Sequence, residues 1–428
     1  MKISVIGSGY AGLVNAAGFA HIGNIVTCVD IDQKKIDKIN KGISPIYEEG
    51  LEDILKNALK NGNIKATTDT RSAIMETDIT YIAVGTPSKA DGSIDLKYIK
   101  AVSEDIGKIL KEKEKYHLIV VKSTVVPGTT EDTVGRTIEQ ISGKKRGIDF
   151  GLAMSPEFLR EGKAMQDYLK PDRVVIGAHD KKSGDILHEL NSPLTGNIIM
   201  TDIKTAEMIK YTSNAFLATK ISFTNEIGNI CKKLNIDVYD VMKGVGADFR
   251  ISPYFLNAGC GFGGSCFPKD VKALIAKSIE LGYDPGLLNS VITVNKNQPG
   301  KMIELAKKHI SDLDGKKITL LGLAFKPGTD DIREAPAITI IEDLLKQGAI
   351  ITVYDPEAQK NIEAIFHDKI NYAGTKEQAI SASDTIMLVT EWDEFKDESL
   401  YNGKFIIDGR KTLNKKTATD RNYEGICW

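Results

Sequence analysis

The chain has 428 residues, of which 42% are hydrophobic and 27% charged, an ordinary globular mix with room for two or three domains and a sizeable core. Fifty-six basic residues against fifty-eight acidic ones leave a formal charge of −2, which argues against a protein whose main task is gripping a nucleic-acid backbone. No run approaches the ~18 apolar residues of a membrane span, and the opening MKISVIGSGYAGLV reads as a buried strand and a glycine turn rather than a cleaved signal. The expectation is a soluble, cytoplasmic protein that works on small molecules, with no nucleic-acid or membrane partner.

Short apolar runs at 2–6, 25–30, 80–84, 118–122, 151–154 and 174–176 alternate with amphipathic stretches, which predicts a parallel sheet wrapped in helices. Most of these runs are followed by Gly, Pro, Ser or Thr. Polar groups therefore collect at strand carboxyl ends, where ligands of open α/β sheets bind.

Directly after the first run, Gly7, Gly9 and Gly12 spell G-x-G-x-x-G ahead of a helix beginning near Leu13, and Asp30 ends the next run 23 residues after Gly7. The first glycine permits a tight turn, the second lets backbone approach a pyrophosphate, and the third lets helix and strand pack closely. The helix N-terminus then offers N–H groups to phosphates. Asp30 is suited to the adenosine ribose hydroxyls and repels the extra phosphate of NADP, so NAD is the expected cofactor. Tyr10, Ala11 and Leu13 complete that turn, Lys35 approaches the ribose from the following helix, and the turns at Thr86 and Ser123-Thr124 border the nicotinamide end.

From 204 to 234 there is no Pro, one Gly and an apolar pattern of helical period, which predicts one long helix, a spine between domains or an oligomer interface. Further helices are expected at 238–245 and 269–281. At Gly315 strand–helix alternation restarts, with runs in KKITLLGLAF, AIITVYDP and DTIMLVTEW and a helix over 337–347, but without a glycine triplet. The fold class is α/β: two Rossmann-like doubly wound domains joined by a long central helix and a helical middle domain. The expected division is 1–200 for an NAD-binding domain, 201–306 for the helical, dimerising middle, and 307–428 for a second Rossmann-like domain.

Cys28, Cys231, Cys260, Cys266 and Cys427 make an odd set without a C-x-x-C pair, so a disulfide framework and a zinc site are both poor readings. Cys266 has a distinctive setting in GCGFGGSCFPKD. Four glycines precede it, and Pro268 suits the first turn of a helix, which places the thiol at a helix N-terminus with Lys269 nearby. Both features favour a thiolate. The alternative is a glycine-rich hinge with an incidental cysteine. Lys210 and Asn214 stand one helical turn apart among apolar residues and are suited to stabilising negative charge on a substrate oxygen. Glu157 and Glu161, four apart in SPEFLREG, are either a helix surface or include a general base acting through water.

Taken together, GSGYAGLV, GTPSKADGSID, STVVPGT, SPEFLREG, KYTSNAF, FLNAGCGFGGSCFPKD and GLAFKPGTDDIREAP resemble, in order and over essentially the whole chain, the UDP-glucose 6-dehydrogenase family of nucleotide-sugar dehydrogenases. These enzymes oxidise a sugar CH2OH to a carboxylate with two NAD. Val126 departs from the proline or other small residue of many relatives. The resemblance implies that Cys266 is the nucleophile, with Lys210, Asn214, Asp270 and Thr124 around the reacting oxygen and a catalytic water, and with Glu157 and Glu161 as the acidic pair near that water and the nicotinamide. It implies a sugar-binding loop in Phe255, Leu256, Asn257 and Gly259, and further substrate contacts from Phe158, Leu159, Arg160, Tyr254, Gly263, Phe325 and Lys326. It also implies cofactor contacts from Lys269 and Arg333, and an Arg250 that serves the neighbouring subunit of a homodimer.

SPEFLREG differs from the PERV-type segment of the UDP-N-acetylmannosamine branch. FLNAGCGFGGSCFPKD is closer to UDP-glucose enzymes than to the GDP-mannose branch. A hydroxyacid dehydrogenase of the 6-phosphogluconate type shares the Lys-x-x-x-Asn helix but needs neither the cysteine nor a second Rossmann-like domain. A silent nucleotide-binding scaffold would have no use for the full set of competent side chains.

Overall fold

The computed structural model describes residues 1–415 and 422–428, and the chain divides into two compact units, Met1–Ser213 and Asn214–Trp428. Among the described residues of the first unit, eight strands form one sheet: β1 (Lys2–Ile6), β2 (Ile25–Val29), β3 (Ile64–Thr67), β4 (Ile79–Ile82), β5 (His117–Val121), β6 (Phe150–Met154), β7 (Arg173–Ala178) and β8 (Asn197–Thr201). Their order is β3-β2-β1-β4-β5-β6-β7-β8, and only the β6–β7 pair is antiparallel. Successive residues of a strand face opposite sides, so Ile3, Val5, Leu118 and Val120 enter one core while Ile6, Ile119 and Val121 enter the other. Burial on both faces explains why these strands read as continuous apolar runs.

In the second unit β9 (Lys317–Leu321), β10 (Ile350–Tyr354), β11 (Asn371–Tyr372), β12 (Thr385–Leu388), β13 (Phe405–Asp408) and β14 (Tyr423–Gly425) pair in the order β11-β10-β9-β12-β13-β14. This repeats the 3-2-1-4-5-6 arrangement of the first sheet. The repetition extends to the first turn. Gly7 at φ +100 donates its N–H to the Val29 carbonyl at 2.8 Å, and Gly322 at φ +92 donates to Tyr354 at 2.9 Å. Asp355 accepts from the N–H groups of Leu323 and Ala324 much as Asp30 accepts from Ser8. The second half lacks the glycine triplet but keeps its first glycine and its acid.

The long helix spans Ile203–Leu234, 32 residues, or about 48 Å at the α-helical rise. Its first turns press on β7 because Gly177 has no side chain; a Cβ there would lie 2.6 Å from that of Ala206. A second long helix, Gly286–His309, carries Pro299 inside it. The polar NKNQPGK run conceals this helix in the sequence. β3, β8, β11, β13 and β14 are likewise unmarked by the apolar runs, being partly exposed or only two to four residues long.

Candidate active site

In the first unit, functional groups follow the carboxyl ends of β1, β2, β4, β5 and β6. A Cβ at Gly12 would sit 1.9 Å from the Gly7 carbonyl oxygen and one at Gly7 would sit 2.5 Å from that of Ala83, so backbone packing forces both glycines. A Cβ at Gly9 would meet nothing within 4 Å, and the helix Tyr10–His21 has no side-chain cap. An uncapped helix N-terminus facing open space suits a pyrophosphate. Asp30 takes the Ser8 N–H at 2.8 Å and hydroxyl at 2.6 Å on Oδ2 and the Asp32 N–H at 3.0 Å on Oδ1, with Lys35 at 3.8 Å. Burial opposes its charge, but these donors prevail and its pKa falls. The residues fit a dinucleotide whose ribose needs an ionised acceptor.

Thr86 is buried and donates to the Thr124 carbonyl at 3.0 Å, tying the β4 and β5 turns together. Glu157 lies in a loop rather than a helix, so the helix-surface alternative for the Glu157–Glu161 spacing falls away. Its Oε1 accepts from Lys210 Nζ at 3.0 Å and its Oε2 from the Leu159 N–H at 2.7 Å. Burial pushes the Glu157 carboxyl up, yet the Lys210 ammonium and that N–H bring its pKa below the ordinary value. Lys122, missed by sequence reasoning although it precedes the Ser123-Thr124 turn, is buried beside them. Burial lowers its pKa to about 8, with Glu157 opposing and Lys210 reinforcing the shift. Phe158 carries the Arg173 guanidinium 3.9 Å from its ring centre, while Arg160 forks onto Asp167.

In the second unit Cys266 is the N-cap of the helix Phe267–Glu280 and the one exposed cysteine of the five. Asp270, one turn on and 1% exposed, accepts from Asn214 Nδ2 and from Lys269 Nζ, each at 2.6 Å. The preceding loop is pinned along its length. Gly259 donates to Asn225 Oδ1 at 2.7 Å and Cys260 to the Gly409 carbonyl at 3.0 Å. Asn295 brackets Phe262, accepting its N–H at 2.7 Å and donating to its carbonyl at 2.9 Å, and Gly264 donates to Arg333 at 2.7 Å.

The glycines here have a packing reason of their own. A Cβ at Gly259 would meet the Gly409 oxygen at 2.6 Å, one at Gly263 the Glu334 oxygen at 2.3 Å, and one at Gly264 the Phe325 ring at 2.8 Å. Pro299 has no N–H for the carbonyl of Asn295, and Gly261, at φ +99, fits closely against that carbonyl.

Phe255 is left-handed at φ +64, and its ring lies 6.3 Å from that of Phe267. Leu256 is buried, whereas Tyr254 and Asn257 are exposed. Arg250 forks onto Asp248 and Arg333 onto Asp331. Lys326 lies 5.5 Å from the Phe325 ring centre. Asn225, Asn295 and Arg410 escaped sequence reasoning. Arg410 lies against Gly259, its Nη1 3.4 Å from where a Cβ would stand there. Nothing local marks these residues, because their partners are 34, 33 and about 150 positions away.

Two Rossmann sheets and a dinucleotide turn with its acid define an NAD-dependent oxidoreductase. Residues 1–195 match the NAD binding domain of the UDP-glucose/GDP-mannose dehydrogenase family, 204–297 its central domain and 319–415 its UDP binding domain. The chain belongs to that family. It is 45% identical to the UDP-glucose 6-dehydrogenase AglM of Haloferax volcanii and 43% identical to a GDP-mannose 6-dehydrogenase of Pseudomonas syringae pv. tomato, with all of each chain covered. The solved structure of a UDP-glucose dehydrogenase from Pyrobaculum islandicum matches with a TM-score of 0.95 at 39% identity, covering 100% of this chain and 97% of that one.

Proposed function

We propose that the chain oxidises UDP-glucose to UDP-glucuronate, with the sugar carbon held on Cys266 partway through. The observation that carries this reading is the exposed thiol of the residue at the N-cap position of the helix Phe267–Glu280, one turn from the Asn214–Asp270–Lys269 group. NAD supplies the hydride acceptor, used twice per sugar. The Cys266 thiolate adds to the aldehyde carbon left by the first oxidation and forms a thiohemiacetal, which the second oxidation turns into a thioester. Water cleaves the C–S bond, leaving the carboxylate and returning the sulfur as thiolate. Covalent capture divides a four-electron oxidation into manageable steps and keeps the aldehyde from escaping.

Lys210 and Asn214 stabilise the negative charge on the reacting oxygen, Asp270 and Thr124 orient the water, and Glu157 and Glu161 stand as the acidic pair beside it. The 7–13 turn with Asp30, Lys35, Thr86, Lys269 and Arg333 holds the cofactor. The 254–259 segment, Gly263, Phe325 and Lys326 hold the nucleotide sugar, together with 158–160. The division into 1–200, 201–306 and 307–428 follows these roles.

The same reading makes the enzyme a cytoplasmic homodimer. Among the described residues no helix is long and apolar enough to cross a membrane. On the long helix Phe216, Phe223 and Ile230 are 63%, 53% and 51% exposed at seven-residue spacing, an apolar seam of the kind that a second helix covers. Arg250 would then serve the substrate of the second copy.

The 43% identical Pseudomonas GDP-mannose 6-dehydrogenase is the specific ground for a second substrate reading. Incubation with UDP-glucose, UDP-galactose, UDP-N-acetylmannosamine and GDP-mannose separates the two. Two NADH per UDP-glucose are expected, and no free UDP-glucuronate is expected from Cys266→Ser. Preference for GDP-mannose, or full turnover by the serine variant, overturns the proposal.

A further inference from the structure

Glu48 lies in a loop that no sequence motif singles out, yet it is 8% exposed and fully engaged. Its Oε1 accepts the Ala164 N–H at 2.6 Å, and its Oε2 accepts the Gly162 N–H at 2.8 Å and the hydroxyl of Tyr10. The Gly162 N–H also lies 2.9 Å from the Tyr10 oxygen. One carboxylate thus joins three separate pieces of backbone. Tyr10 opens the helix of the dinucleotide turn, Glu48 stands just before the helix Leu51–Lys60, Gly162 lies at the end of the loop that carries Glu157 and Glu161, and Ala164 opens the helix Ala164–Leu169 that follows it.

Each of these contacts uses a neutral donor on a carboxylate, the stronger class of hydrogen bond. Burial and the neighbouring Glu48 raise the Tyr10 pKa, so the phenol keeps its proton and remains a donor. The turn and the acidic loop share this acceptor although about 150 residues of chain separate them.

We infer that Glu48 is a positioning residue that couples seating of the dinucleotide turn to the register of the acidic loop. The inference rests on the dehydrogenase reading above. A cofactor that orders the turn orders the 160–164 segment through Tyr10 and Glu48, and a loosened segment weakens cofactor binding in return, since coupling between two sites is reciprocal. A carboxamide at position 48 keeps the shape but turns an N–H2 toward one of the three donors. Loss of a hydrogen bond to a charged group, at about 1.5 kcal/mol or more, is about tenfold in an equilibrium constant.

The test uses the full-length chain and its Tyr10→Phe, Glu48→Gln and doubly substituted forms. NAD affinity is read by titration without substrate, and backbone hydrogen exchange of 160–165 is followed with and without NAD. KM for NAD, KM for UDP-glucose and kcat are measured alongside. Each single variant is expected to bind NAD about tenfold more weakly and to lose the NAD-induced protection of 160–165. The double variant is expected to fall short of the product of the two single effects, since the residues act as one unit.

A purely structural Glu48 would lower the amount of active enzyme without moving NAD affinity or the exchange response, and that result overturns the inference. If Glu48→Gln fails to fold, Tyr10→Phe, which leaves the two backbone contacts of Glu48 in place, decides through the exchange response of 160–165. The binding and exchange measurements need no turnover, so a wild-type chain that binds NAD but ignores UDP-glucose would count against the proposed substrate and not against Glu48.

Discussion

Asn214 donates its side-chain amide to Asp270 Oδ2 at 2.6 Å, while Lys269 occupies the other oxygen at the same distance. A buried carboxylate with both oxygens engaged is fixed in orientation, as the positioning of a hydrolytic water requires. Asp270→Asn keeps the shape and one acceptor for Asn214 but removes the charge that pairs Lys269. Hydrolysis of the enzyme-bound thioester is expected to slow by about a hundredfold. Rapid-quench kinetics should show acyl-enzyme accumulating after two NADH have formed, and a variant that releases acid at the wild-type rate would remove Asp270 from the hydrolytic step.

Glycines of the dinucleotide turn separate by mechanism. At Gly12 an added Cβ meets the Gly7 carbonyl at 1.9 Å, whereas at Gly9 it meets nothing. Gly12→Ala is therefore expected to lose about 3 kcal/mol of stability or more. Gly9→Ala should unfold like the parent yet bind NAD at least about tenfold more weakly, because its methyl group occupies the phosphate space. Urea unfolding and NAD titration of both variants check the contrast.

Lys122 gives a pH signature. Burial lowers its folded pKa to about 8 from the ordinary 10.5, so between those values the unfolded chain binds more protons and stability rises with pH. The contribution is fully present above 10.5 and is lost as pH falls through about 8. A gap of that size corresponds to about 3 kcal/mol. Lys122→Met should lack this rise, while Lys113, whose pKa burial also lowers to about 8, contributes equally to both proteins. Denaturant unfolding at pH 7.5, 9 and 10 measures the difference, and parallel curves would refute the assignment.

Thiol chemistry should be selective. Burial pushes Cys28 and Cys427 up to about 12 and also raises Cys260, which leaves a thiolate fraction of about one in ten thousand at pH 8 for the first two. Cys266 alone among the five is exposed. Iodoacetamide under native conditions is expected to add one label per chain, at Cys266, and to abolish turnover. Peptide mapping that finds the first label elsewhere would contradict this.

The sequence by itself determined the strands that are buried on both faces, the dinucleotide turn with its acid, the long helix and the cysteine at a helix start. All of these are local: strand burial writes a continuous apolar run, a tight turn demands glycine, and an unbroken helix excludes proline over its length. Tertiary structure decided what depends on distant partners. It revealed that Gly259 and Gly263 yield to the backbone at Gly409 and Glu334, that Asn225 and Asn295 hold the cysteine loop, and that Asp355 repeats the part of Asp30 without a glycine triplet to announce it. It also carried a helix through Pro299 and left Glu157 in a loop. A hydrogen bond between residues far apart in the chain leaves no periodic trace in either segment, so only the folded arrangement discloses it.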